Sequence, residues 1–175
     1  IIKMATIYGA EIGISQNDLI AALLLTQFVV IPFSLLFGRL AKQLGTKRAI
    51  LLALAVYTII SILGYFMSTA WHFYVLAVMV GLVQGGSQAL SRSMFGAMIP
   101  RSRTAEFFGF YDVSGKFAGI VGPFVFALVG QITGSSRLSI LSLIFFFIVG
   151  GLLLTRVDEV EGRRVALEVE AGRPV

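Results

Sequence analysis

Five uninterrupted apolar runs, each near the length needed to cross a lipid bilayer, dominate this sequence and leave little room for any other fold. A membrane-crossing helix needs ~20 mostly apolar residues. The runs at about 19–40, 49–67, 71–93, 105–131 and 138–155 supply that length. A shorter apolar segment at 1–10 would reach only about 15 Å as a helix, roughly half the hydrocarbon core. Period-two alternation is absent and the runs are too long for barrel strands. The expected fold is therefore all-α, a polytopic membrane bundle with five full transmembrane helices and a partial first helix. The helical unit covers 1–156 and a charged tail covers 157–175, solvated or interfacial. A mean hydropathy of +0.92 with only 13% charged residues excludes a soluble domain. The chain begins at Ile1 inside an apolar segment with no positive flank, which predicts a piece of a longer protein rather than a signal peptide.

The net charge of +5 would suggest nucleic acid in a soluble chain, but here its distribution carries the information. Arg39, Lys42, Lys47 and Arg48 flank one break between runs. Arg92, Arg101 and Arg103 surround another, and Arg156, Arg163, Arg164 and Arg173 lie in the tail. The opposite breaks hold only Arg137, with Glu11, Asp18 and His72. The positive-inside rule then predicts that both basic loops and the C-terminus are cytoplasmic. Partners on this reading are the lipid bilayer and small molecules, with no nucleic acid.

Local signals place the helix ends. Ser15 to Asp18 reads as a cap before the second run, Pro32 as a kink within it, and Thr104 as an N-cap with Glu106 favouring the helix dipole. Between Gln84 and Pro123, charges and glycines interrupt what should be purely apolar helix. A charge near the bilayer centre costs at least ~2.5 kcal/mol, so such residues carry a partner or a task.

Asp112 and Lys116, at i and i+4, are expected to pair on one helix face, about 10 Å and 16 Å from the helix start. The pair either lines a polar path or steadies the helix. Tyr111 lies beside it. Gln84, Gln88 and Arg92 share a face, the amides suited to a zwitterion or a sugar and the arginine to snorkelling toward headgroups. Lys3, Tyr8 and Gln27 are further candidates for a substrate or ion path. Glu11 is expected to be solvated and His72 to sit with Trp71 at the membrane interface. Gly115, Gly119, Gly122 and Pro123 form an expected helix-packing seam. With one histidine and no cysteine, neither a metal cluster nor a disulfide can be built from those residue types. There is also no phosphate-binding glycine loop, so no cofactor and no enzyme activity are expected.

Two motifs carry a family resemblance. Gly38, Arg39, Lys42, Gly45, Lys47 and Arg48 form a cytoplasmic loop motif. It resembles the glycine–acidic–basic–glycine–basic loop between the second and third helices of each six-helix half in the major facilitator superfamily. Lys42 stands where that family usually has Asp. The stretches IYGAEIGISQNDLIAALLLTQFVVIPF and QALSRS…IP…AEFFGFYDVSGKFAGIVGP are similar to the autophagy-related vacuolar effluxer branch, whose bacterial members are called the unidentified major facilitator family.

The resemblance implies a C-terminal six-helix half with its first helix cut, in a bacterial inner membrane. It implies secondary active transport of a small polar solute, an amino acid or peptide-like, by alternating access and coupled to protons. The missing N-terminal six-helix half, or a homodimer mate, would then complete the path. A non-transporting membrane scaffold, or a drug or sugar exporter of the same superfamily, is the alternative.

Overall fold

A computed structural model describes residues 2–171 of the chain, with side chains from Met4 onward. Among the described residues seven α-helices follow one another: α1 (Ile2–Glu11), α2 (Gln16–Leu44), α3 (Thr46–Tyr65), α4 (Ala70–Ala97), α5 (Thr104–Thr133), α6 (Ser136–Arg156) and α7 (Glu159–Glu170). A 3₁₀ turn, Arg101–Arg103, leads into α5. Helices α2 to α6 are the five long and apolar enough to cross a membrane, and no strand occurs among the described residues. The bundle is all-α, with α1 as the short first helix.

Turns are brief because a backbone leaving a helix inside lipid loses its hydrogen bonds. Ser15 caps α2 by accepting from the Asp18 N–H at 3.2 Å, and its hydroxyl donates to the Asp18 carboxylate at 2.7 Å. The hydroxyl of Tyr74 on α4 reaches the same carboxylate at 2.9 Å. The basic loop expected at 38–48 is almost wholly helical. Gly38, Arg39 and Lys42 lie in α2, while Lys47 and Arg48 open α3. Only Gly45 turns the chain, with φ of +89°, its N–H donating to the Ala41 carbonyl at 2.9 Å. Arg, Leu, Ala, Lys and Gln are good helix formers, and glycine alone takes that φ without strain.

One other local expectation is revised. Thr104 does not cap α5, because the 3₁₀ turn runs directly into the helix. Its hydroxyl instead donates back to the Arg101 carbonyl at 2.9 Å. Glu106 does sit in the first turn, gripped by Arg103 through contacts of 2.8 and 2.9 Å. The segment after Arg156 forms α7, capped by Asp158, whose carboxylate accepts from the Val160 and Glu161 N–H groups.

The tightest packing joins α2 to α4. A Cβ on Gly86 would lie 2.3 Å from Phe37, one on Gly85 2.7 Å from Val30, and one on Gly81 2.9 Å from Val29. With no hydrophobic drive between helices in lipid, such backbone contact supplies the van der Waals attraction. Across it, the Thr26 hydroxyl donates to Ala22 O at 2.9 Å and lies 3.2 Å from Ala77 O. Tyr8, Met67, Phe73 and Ile140 form a core beside this contact. Helix α5 is the outlier, since Phe126 is its only buried residue. Gly115 and Gly119 face open space, Gly122 meets only Met4 Cε at 3.2 Å, and Pro123 is exposed.

Gly86→Leu is expected to lower the thermal midpoint of the detergent-purified protein, overpacking costing ~1–3 kcal/mol. Gly115→Ala should leave the midpoint of this chain unchanged or raise it slightly, because alanine is the better helix former, and an equal drop for both would refute the assignment of close packing to α4.

Candidate functional site

The antiparallel ends of α4 and α5, joined through the turn that contains Arg101–Arg103, carry the polar residues that interrupt the apolar pattern. Together with Ile50 to Tyr57 of α3 they line a cleft of about 370 Å³. Ser87, Gln88, Ser91 and Arg92 line it from α4, Tyr111 and Asp112 from α5, and Tyr57 with Ile50 and Leu54 from α3. Three sequence candidates thus meet in one place, Gln88, Tyr111 and Asp112, and they are joined there by Arg92.

The central contact is between helices. An Arg92 guanidinium nitrogen donates to the Asp112 carboxylate at 2.7 Å. The expected Asp112–Lys116 pair is therefore replaced by one between Arg92 and Asp112. The physical reason is geometric. A charge-assisted Arg–carboxylate bond is short and directional, whereas an i,i+4 pair on one helix adds only ~0.3–0.5 kcal/mol. Lys116, one turn further along α5, is exposed and forms no ion pair among the described residues.

Aromatic rings hold the arginine from the other side. The Arg92 guanidinium carbon lies 5.8 Å from the Tyr111 ring centre. That ring packs on Phe95 at 4.9 Å, and Phe95 meets Phe108 edge-on at 5.6 Å. Within about 6 Å, an arginine over an aromatic face gains cation–π attraction. Arg92 is thus oriented by a carboxylate and a ring together. Gln84 lies one turn up α4 from Gln88, and its carbonyl oxygen is buried with no hydrogen-bond partner among the described residues. A buried acceptor without a donor is uncommon and calls for a ligand or water.

Tyr57 is the contributor that sequence reasoning missed. It is a lone aromatic in the middle of α3, and its ring stacks on Phe147 at 5.5 Å. Its isolation within an apolar run is the only signal the sequence offers.

The remaining candidates lie elsewhere. Tyr8 is fully buried beside a separate, nearly apolar cavity of about 60 Å³ among α1, α2, α3, α4 and α6. Gln27 is exposed on α2, and the side chain of Lys3 lies outside the described residues. Glu11 accepts from the Ser136 hydroxyl, tying the end of α1 to the start of α6. His72 Nδ1 pairs with the Thr69 hydroxyl at 2.9 Å at the start of α4.

Comparison with known proteins places these features in a family context. Residues 1–167 match the family described as vacuole effluxer Atg22 like. The chain is 42% identical over 159 residues to the uncharacterized MFS-type transporter YxiO of Bacillus subtilis, covering 91% of this chain and 37% of that protein. It is 29% identical over 181 residues to autophagy-related protein 22 of Cryptococcus neoformans, covering 94% of this chain and 33% of the relative. The chain thus spans about a third of the length of these curated relatives. No solved structure matches it.

Both members of the central ion pair are more than half exposed, with 57% of each side chain accessible. Solvent screening then limits its contribution, and a double-mutant cycle with Arg92→Gln and Asp112→Asn should give a coupling of ~0.2–1 kcal/mol. Coupling of that size between Asp112 and Lys116, with none to Arg92, would restore the intrahelical pair.

Proposed function

This chain belongs to the Atg22-like vacuole effluxer family, and on that premise we propose that it forms one wall of a secondary active transporter for a small polar solute. The observation that carries the reading is the Arg92–Asp112 pair held in a cleft between three membrane-crossing helices. Charges within such helices are costly and turn toward a polar path rather than toward lipid. A cleft with one guanidinium, one carboxylate and flanking amide and hydroxyl groups suits a zwitterion, an amino acid or peptide-like solute. Its carboxylate would take Arg92 and its ammonium Asp112, exchanging one internal ion pair for two to the ligand. The buried oxygen of Gln84 and the amide of Gln88 extend the set of hydrogen-bonding groups along α4.

The similarity to an MFS-type transporter and to the vacuole effluxer family supports the same reading. Substrate would bind between this C-terminal half and a partner half, and alternating access would follow from rocking of the two, coupled to protons. A homodimer mate is the other possible partner on this reading. The partner surface is best supplied by α5, with its exposed Lys116, Gly115 and Gly119. A lysine there needs a counter-charge from the covering helices. The basic turns support a cytoplasmic C-terminus in a bacterial inner membrane. Lys42, in place of the usual acidic residue, favours a second reading, a membrane scaffold that keeps the fold without a transport cycle.

Uptake of labelled amino acids into liposomes by the full-length polypeptide, with and without a pH gradient, tests these readings. Asp112→Asn is expected to cut flux about tenfold, the equivalent of ~1.4 kcal/mol lost in binding. Flux unaffected by Asp112→Asn and Arg92→Gln would remove this cleft from the path. The absence of ion-dependent flux for any tested solute would favour the scaffold.

A further inference from the structure

We propose that α7 is a strap that limits how far the two walls of the Arg92–Asp112 cleft separate at the basic end of the bundle. The inference goes beyond transport itself and rests on the reading above only in concerning the same cleft.

The strap has a root and a tip. At the root, Lys47 in the first turn of α3 donates through Nζ to the Thr155 carbonyl at 2.9 Å and the Val157 carbonyl at 2.7 Å. These are carbonyls at the C-terminal end of α6, where helical partners run out and a cation is favoured. Lys47 therefore clips α3 to the joint between α6 and α7. It lies one turn before Ile50, which lines the cleft, so the root is fixed to the α3 wall.

The tip reaches the opposite wall. Helix α7 crosses the turn that joins α4 to α5, and contact is close only because residue 162 is glycine. A Cβ there would lie 2.9 Å from Met98 Cγ. Ala166 is buried at 6% exposure. At the far end, a Glu170 carboxylate oxygen accepts from the Arg101 N–H at 2.6 Å. One helix thus links the α3 wall, through Lys47, to the turn whose two arms carry Arg92 and Asp112. Separation of the walls at this end stretches the link. The Glu170 contact is the part most readily broken, since it is a single exposed bond at the end of a helix whose start is firmly capped by Asp158.

The test reads access to the cleft and needs no transport, so its failure is distinct from failure of the transporter reading. These 175 residues contain no cysteine. In the full-length polypeptide, freed of any other cysteine and reconstituted in liposomes, Ser91→Cys reports the cleft through its rate of reaction with a water-soluble thiol reagent. Glu170→Ala and Gly162→Leu are each expected to raise that rate about fivefold, the shift expected from loss of one hydrogen bond that holds the two walls together. Glu170→Gln keeps an acceptor oxygen and should label at the unmodified rate. Glu170→Ala is a surface change, so the test stands even where Gly162→Leu fails to fold. Unchanged labelling in Glu170→Ala overturns the strap, as does a Glu170→Gln rate equal to that of Glu170→Ala.

Discussion

Lipid offers no hydrogen bonds, and that constraint organises nearly everything seen in this chain. Each backbone N–H and C=O in the hydrocarbon must be satisfied within its own helix. Helices α2 and α5 continue across Pro32 and Pro123 although proline has no N–H to donate, and one glycine is enough to turn α2 into α3. Polar side chains obey the same rule. Thr26, Thr58 and Ser61 donate to carbonyls one turn earlier on their own helices. Arg92 and Asp112 cannot be satisfied so locally, and they meet across two helices.

Packing in this environment comes from shape rather than from expulsion of water, and glycines reveal where it is strong. On α4 they bring the backbone against Phe37, Val29 and Val30. On α5, Gly109, Gly115 and Gly119 meet nothing, while Phe110, Phe117, Ile120 and Phe124 project outward. One glycine set completes a contact within this chain, and the other leaves a smooth face open. The same asymmetry explains the cleft. Where α5 stands away from α4, the gap is bridged by an ion pair and an aromatic cluster instead of by backbone contact.

The basic end shows how charges on the surface can hold helix ends together. Lys47 belongs to the loop motif that the sequence makes prominent, yet its ammonium closes the end of α6 rather than standing free in solvent. Arg103 grips Glu106 and steadies the entry to α5. Helix α7, rooted beside Lys47, then ties this end together across the cleft.

Apolar run length determined the all-α membrane bundle from the sequence alone, because a bilayer sets the length of a helix independently of its neighbours. The candidate residues Gln88, Tyr111 and Asp112 were also legible, since a polar group in an apolar run stands out without knowledge of its partner. Pairing was not. Lys116 lies four residues from Asp112 in the chain, but Arg92, twenty residues away, has the reach and geometry to take the carboxylate. Nor could spacing show that Tyr57 shares the cleft, that Tyr8 lies in a different cavity, or that the charged tail folds into a helix docked by Gly162. Those facts depend on which helices lie side by side. Local sequence decides what each segment becomes, and only the three-dimensional arrangement decides whom its side chains meet.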